Sequence, residues 1–380
     1  MDFFNSILNL VVPPASMVML AFAWPTLCFI NACEWLYSSC YCENMEDKVV
    51  IITGASSGIG EQIAYEYAKR KAILVLVARR EQRLRVISEN ARQMGAKQVA
   101  IMAADVVKED DCRRFVNETI NFYGRSMSLN PNTVRLTLIN AILNAKVDHL
   151  VNTASLGHTF YFEEVTDTSV FPHLMDINFW GNVYPSYVAL PYLHQSNGRI
   201  VVNASVETWL PLPRMSLYAA AKAALVNFYE TLRFEVKEVG ITIATHGWIG
   251  SEMTGGKFML EDGAEMQWKE EREVHVTGGP VEEYARLIVS GACRRDAYVK
   301  YPSWYDVFLL YRVFAPNVLN WTLGLLLASH GARRTSLVGT GRPVLEYTAK
   351  PQLEGPPPRK FLTSPTQYSQ VSPQLQQKWE

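Results

Sequence analysis

The 380-residue sequence predicts an α/β protein: a doubly wound parallel sheet with helices on both faces, preceded by a hydrophobic N-terminal anchor. Three observations predict it. Short apolar runs alternate with amphipathic segments from residue 48 to about 300, the pattern of strands joined by crossover helices. The first run leads into a glycine-rich turn that opens a helix. Ahead of both, Phe3 to Cys33 contains no Asp, Glu, Lys or Arg. Composition fits a folded core: 48% of residues are hydrophobic and 19% charged, and the net charge is −1. That balance excludes wholesale disorder and disfavours nucleic-acid binding, which needs a basic stripe.

The uncharged N-terminal stretch is a membrane signal. It is a poor secretory leader, because its start carries Asp2 and no basic residue, and the apolar run is too long. Pro13, Pro14 and Pro25 disfavour a continuous helix. Two arrangements follow: a single kinked spanning helix, or a hairpin whose arms of about 12 residues reach only about 18 Å. Such arms suit one leaflet or the monolayer of a lipid droplet, and this one-sided form is the favoured expectation. The anchor is assigned to residues 1–45 and the acting stretch to 3–33.

Residues 46–302 carry the alternation. Strands are expected at 49–53, 72–78, 98–103, 149–153, 199–203, 241–246 and 297–299. Helices are expected at 57–70, 81–94, 109–123, 170–194, 216–239 and 280–291. The link 126–146 breaks the rhythm. Helix-to-strand links usually run about 2–6 residues, and this one is longer and apolar (Val134, Leu136, Leu138, Ile139). It is either an extra packed helix or retained non-coding sequence. Residues 303–349 include the aromatic, apolar run from Trp304 to Leu327, which suits a membrane interface or a helix pair closing the pocket. Residues 350–380 are rich in Pro, Gln and Ser and read as a disordered tail. Six cysteines make no disulfide framework, and the seven histidines show no metal-ligand spacing. Cys40 and Cys42 are read as free thiols.

The chemistry starts at Thr53-Gly54-Ala55-Ser56-Ser57-Gly58-Ile59-Gly60. Glycines here let the backbone approach a pyrophosphate, and the helix N-terminus supplies free N–H groups. At the end of the next strand, where an NAD site usually carries an acid, stand Arg79 and Arg80. A guanidinium pairs bidentately with phosphate. The expected cofactor is therefore NADP(H), with NAD second, and Arg79 is assigned the 2′-phosphate. Asp105, after the third strand, is placed beside the adenine, with a helix cap as the alternative role. Further along lie Ser205 and the sequence Tyr218-Ala-Ala-Ala-Lys222. Tyr and Lys four apart share a helix face. An ammonium beside a phenol lowers its pKa, which makes Tyr218 a usable general acid/base. Ser205 ends a strand where open α/β sheets bind ligands, and is expected to hold the substrate oxygen.

With these residues in view, the chain resembles the short-chain dehydrogenase/reductases over roughly residues 48–300, which implies a Rossmann-type sheet. TGASSGIG, Ser205, Tyr218 and Lys222 match the family's cofactor turn and catalytic triad. Asn178, in DINFWG, matches the Asn that completes the family's tetrad through a water. The resemblance adds Asn152, Ala154 and Ile249 to the cofactor contacts, and makes the region of Met253, Met259, Met266 and Trp268 a substrate lid. Within the family the chain looks like the 11-beta-hydroxysteroid dehydrogenase branch. Its anchor is similar to that of the steroleosins, in which Pro13, Pro14, Ser16 and Pro25 would form the proline knob. Three departures stand out. Ser155 occupies a glycine position of the family, His246 precedes Gly247 where a proline is usual, and Ser57 replaces a basic residue.

The expected function is hydride transfer between NADP(H) and a secondary alcohol or ketone of a sterol or steroid. The expected location is a lipid droplet or the endoplasmic reticulum membrane, with the catalytic domain on the cytosolic side; a homodimer is compatible. Two other readings stand beside it. One is a lipid-droplet coat protein with vestigial catalysis, separable by loss of cofactor binding. The other is a reductase of another lipid carbonyl.

Overall fold

The computed structural model describes residues 2–40, 42–56, 58–126, 146–158, 160, 162–165, 168–247, 257–258, 267–268 and 279–331. Most of the link 126–146, the positions of Ser57, Ile249, Met253, Met259 and Met266, and the tail 350–380 lie outside them. The chain forms two compact units, Met1–Leu319 and Asn320–Glu380.

Seven strands build one sheet: β1 (Val49–Thr53), β2 (Ile73–Ala78), β3 (Gln98–Ala103), β4 (His149–Asn152), β5 (Arg199–Ser205), β6 (Gly240–His246) and β9 (Tyr298–Tyr301). They run in the order β3-β2-β1-β4-β5-β6-β9, all parallel. The central strands are buried on both faces, as a doubly covered parallel sheet requires. Alternation then divides their side chains between two cores. Val50, Ile52, Leu74 and Leu76 face α2 (Gly58–Ala68), α3 (Glu81–Gln93) and α8 (Val281–Arg294), meeting Ile63, Tyr67, Leu84 and Ile288. Val49, Ile51, Val75 and Val77 face α4 (Glu109–Ser126), α6 (Gly181–Ser196) and α7 (Ser216–Glu235), meeting Phe115, Leu193, Leu225 and Tyr229. The order reverses between β1 and β4, so a crevice opens there at the carboxyl ends of the strands.

Several boundaries differ from expectation. The helix expected over 170–194 is three pieces: α5 (Val170–Met175), a π-helical turn (Asp176–Trp180) and α6. Such turns often mark functional sites, and this one carries Asn178. β5 extends to Ser205 and the last strand covers Tyr298–Tyr301. Residues 257–258 and 267–268 pair antiparallel as β7 and β8.

The N-terminal segment corrects the hairpin expectation. It is one uninterrupted helix, α1 (Asp2–Cys40), that runs through all three prolines. Among the described residues no helix is long and apolar enough to cross a membrane. Leu10, Phe22 and Phe29 of α1 are nonetheless 75, 82 and 70% exposed. After β9, a short turn leads to α9 (Asp306–Phe314) and α10 (Pro316–Gly331). Trp304, Val307, Leu310, Val313 and Phe314 are exposed rather than closing a core. Two contacts tie this segment to the crevice rim. The Tyr305 ring packs against Gly247, and the Arg312 guanidinium donates to the Trp209 carbonyl.

Candidate active site

The glycine-rich turn is built by backbone needs that other residues cannot meet. Gly54 has φ +68° and Gly58 φ +55°, a region that side chains with a Cβ rarely adopt. A Cβ on Gly60 would sit 2.5 Å from the Gly54 carbonyl oxygen and 2.6 Å from Thr153 Oγ1. The turn therefore lies flush against the loop after β4 and leads directly into α2, whose first N–H groups have no intrahelical partner. This is the cradle a dinucleotide pyrophosphate needs.

Of the two arginines after β2, Arg80 has defined contacts with the turn. Its Nε donates to Ser56 Oγ at 3.2 Å, and its Nη2 donates to Ser56 Oγ at 3.1 Å and to the Ser56 carbonyl at 3.3 Å. Arg79 is exposed at the same strand end. Arg80 thus packs on the glycine-rich turn beside Arg79, the residue to which the sequence reading assigns the 2′-phosphate. Asp105 is half-buried beyond β3, where its carboxylate accepts from Val107 N at 3.4 Å. That bond closes a local turn rather than capping α4, which starts at Glu109.

Asn152 does not face the crevice. Its amide donates to the Asn182 carbonyl at 3.0 Å, to Ser186 Oγ at 2.8 Å and to Tyr229 Oη at 3.3 Å, and its Oδ1 accepts from Thr53 Oγ1. It clamps β4 to α6 and α7. The Ala154 backbone lies against Gly54. Asn178 is fully buried, and its amide is spent. Nδ2 donates to the Leu156 and Leu174 carbonyls at 2.8 and 2.9 Å, and Oδ1 accepts from Ser155 Oγ at 3.0 Å and Leu156 N at 3.1 Å. These bonds make the Asn178 side chain a buckle that fixes the loop after β4.

Ser205, Tyr218 and Lys222 converge. The Tyr218 phenol is buried, and the Ser155 and Ser205 hydroxyls beside it favour its ionised form. Lys222, fully buried, donates from Nζ to the Asn203 carbonyl at 2.9 Å and lies 5.8 Å from the centre of the Tyr218 ring. Tyr284 Oη steadies Asn203 by donating to its Oδ1 at 3.1 Å.

Glu207, which sequence reasoning missed, enters the site, together with His246, which the sequence showed at the family's proline position. Glu207 is buried beside this group and accepts a hydrogen bond from Ser205 Oγ. A carboxylate two residues beyond a buried strand, among Val206 and Trp209, is the signal that could have found it. His246 ends β6 in register with Ser205, and its imidazole bonds the Gly247 carbonyl at 2.7 Å.

The electrostatics reverse one expectation. Burial holds the Tyr218 phenol above its usual value; the Glu207 carboxylate adds to the rise, and the Ser155 and Ser205 hydroxyls oppose it. Burial lowers Lys222 to about 7, against the pull of Glu207. Desolvation of both groups outweighs the ammonium–phenol attraction on which the sequence argument relied. Burial likewise raises Glu207 and takes His246 down to about 4.

A family model described as short chain dehydrogenase matches residues 48–135 and 132–258. The chain belongs to the short-chain dehydrogenase family. The two matched stretches meet inside the long link 126–146, which interrupts the family pattern. Among curated relatives, "11-beta-hydroxysteroid dehydrogenase B" of Arachis hypogaea is 72% identical over 371 residues, spanning 97% of this chain and 98% of the relative. "11-beta-hydroxysteroid dehydrogenase-like 5" of Arabidopsis thaliana is 71% identical over 364 residues, 94% of this chain and 88% of the relative. The protein is thus a hydroxysteroid dehydrogenase-like oxidoreductase of a family that binds NAD(P). A short-chain dehydrogenase/reductase from Burkholderia phymatum, solved in complex with NAD, superposes with a TM-score of 0.60 at 22% identity, covering 72% of this chain and 96% of that one. At that identity it attests the fold.

Proposed function

We propose that the protein transfers hydride between NADP(H) and a secondary alcohol or ketone of a sterol or steroid. The observation that carries this reading is the convergence of Ser205, Tyr218 and Lys222 at the mouth of the crevice that the glycine-rich turn opens. The cofactor supplies the hydride acceptor or donor when bound. The turn from Gly54 to Gly60 holds the pyrophosphate. Arg80, fixed against Ser56 at its edge, holds the 2′-phosphate together with Arg79. Lys222 has two ammonium hydrogens beyond the one given to Asn203, and these hold the ribose hydroxyls. Ser205 orients the substrate oxygen. In oxidation Tyr218, as phenolate, takes the hydroxyl proton; in reduction it returns it. A steroid is favoured because the named relatives are 11-beta-hydroxysteroid dehydrogenases.

The reaction takes place at a lipid surface, the monolayer of a droplet or the endoplasmic reticulum membrane, with the catalytic unit on the cytosolic side. Support comes from the uncharged stretch 3–33, now one helix with exposed Leu10, Phe22 and Phe29, and from the exposed aromatic rim at Trp304 and Phe314. Apolar surface of this kind is stabilised by burial in lipid.

The test is hydride transfer in lipid-reconstituted full-length protein, with a steroid panel and each cofactor. Tyr218→Phe is expected to abolish turnover, and Arg80→Ala to reduce the preference for NADP(H) over NAD(H). Undiminished turnover in Tyr218→Phe refutes the assignment.

A further inference from the structure

Ser205 has one hydrogen to give, and the protein claims it. At the end of β5 the serine is extended, with φ −148° and ψ 160°, and the chain then folds into a 3-10 turn over Val206–Thr208. That turn brings Glu207 back onto the serine, whose Oγ donates to the Glu207 carboxylate. The His246 carbonyl, on the neighbouring strand β6, is a second acceptor at 3.3 Å. Ser205 is 2% and Glu207 9% exposed, so this exchange is shielded from water. A hydroxyl offers one O–H and two lone pairs. While its hydrogen lies on Glu207, Ser205 has lone pairs alone for a substrate. It accepts from the O–H of an alcohol but has nothing to give a ketone, whose oxygen is purely an acceptor. A proton on Glu207 reverses the order. The carboxylic acid donates to Ser205 Oγ, and the serine hydrogen is released toward the ketone oxygen. Burial raises the Glu207 carboxyl above its usual range, while the bond from Ser205, its own backbone N–H and the Lys222 ammonium pull it down. The acid form therefore persists to higher pH than at an exposed site.

We propose that Glu207 is a positioning residue that acts through Ser205: as carboxylate it sets the serine to accept from an alcohol, and as carboxylic acid it sets the serine to donate to a ketone. The inference rests on the hydride-transfer reading of the same site. Glu207 exchanges its proton with solvent between turnovers and passes none to the substrate. Hydride still comes from the reduced cofactor and the reacting proton from Tyr218. Each ketone bound by the ionised enzyme takes up one proton, which stays on Glu207. The titratable and charged groups around Glu207 are Tyr218 and Lys222 on α7 and His246 at the end of β6. Arg312 of α9 reaches the same turn at the Trp209 carbonyl. All four stay in place when Glu207 alone is replaced.

The experiment measures binding without turnover in full-length protein in mild detergent. Equilibrium dialysis gives the Kd of a tritiated 11-ketosteroid on the NADP+ complex and of the matching 11β-hydroxysteroid on the NADPH complex, across about pH 5 to 9. Protein-free micelles correct for partition. One hydrogen bond gained or lost at the substrate oxygen is a change of roughly tenfold in Kd. In wild type the ratio of ketone Kd to alcohol Kd is therefore expected to rise about tenfold as pH climbs through the range. Glu207→Gln keeps the shape and stays neutral, with an amide N–H to give Ser205. It is expected to hold the ketone Kd at its low-pH value throughout and to flatten the ratio. Ser205→Ala, which removes the group through which Glu207 acts, is expected to flatten the ratio as well. A wild-type ratio that does not change with pH overturns the proposal, as does the wild-type slope persisting in folded Glu207→Gln or in Ser205→Ala. Turnover is assayed beside binding. Turnover that survives Tyr218→Phe, or no wild-type turnover, overturns the hydride-transfer reading and this proposal with it.

Discussion

Lys222→Met separates stability from function at this site. The ammonium is fully buried, and burial brings it from 10.5 to about 7. A fall of about three and a half pH units corresponds to about 4 kcal/mol at pH 7 relative to the unfolded chain, at roughly 1.4 kcal/mol per unit. Methionine has similar length and no charge. It leaves the Asn203 carbonyl without the donor at 2.9 Å, which costs about 1–2 kcal/mol. The variant is therefore expected to be more stable than wild type by about 2–3 kcal/mol at pH 7 while losing turnover. The pH dependence fixes the cause. Lys222 is depressed in the folded state, so the unfolded chain binds more protons, and wild-type stability rises as pH climbs from about 7 toward 10.5. The advantage of the Met variant should shrink over that window and reverse above about pH 10. Urea unfolding of full-length protein in mild detergent, followed by tryptophan fluorescence, measures both proteins at each pH. A difference that is flat with pH would refute the buried-charge account of Lys222.

Two other substitutions probe the frame of the site. Gly60→Ala places a methyl 2.5 Å from the Gly54 carbonyl and 2.6 Å from Thr153 Oγ1. A loss of about 2–4 kcal/mol in stability is expected together with weaker dinucleotide binding, read by melting temperature and by quenching of tryptophan fluorescence on titration. His158 is fully buried, packs on Phe160 and has neither ring nitrogen bonded among the described residues. Burial lowers it to about 4. Its neutral form is favoured, so the stability it permits is complete above about pH 6.5 and falls as pH drops toward 4. His158→Phe should recover about 2 kcal/mol at pH 5 with little change at pH 7.5, in paired denaturation curves.

Much of this was legible in the chain. Each strand is a short apolar run, and the seven runs alternate with amphipathic helices because burial on both sheet faces demands it. The glycines of the turn, Ser205, Tyr218 and Lys222 could be named because local geometry fixes their spacing: a φ only glycine takes, a strand end, one helix face. Other features were not legible, because they depend on which polar groups share a buried space. Asn152 and Asn178 look like site residues in the sequence, yet folding aims their amides at carbonyls of neighbouring elements. The phenol and ammonium shift opposite to the pairwise expectation because desolvation is set by the whole enclosure, not by the neighbour four residues away. Glu207 and Arg80 emerge only where β2, β5 and the glycine-rich turn end together. The sequence alone determined the seven-stranded alternation and the candidate side chains of the site. The tertiary structure alone decided the direction of each buried hydrogen bond, and so which neighbours govern the proton on Tyr218.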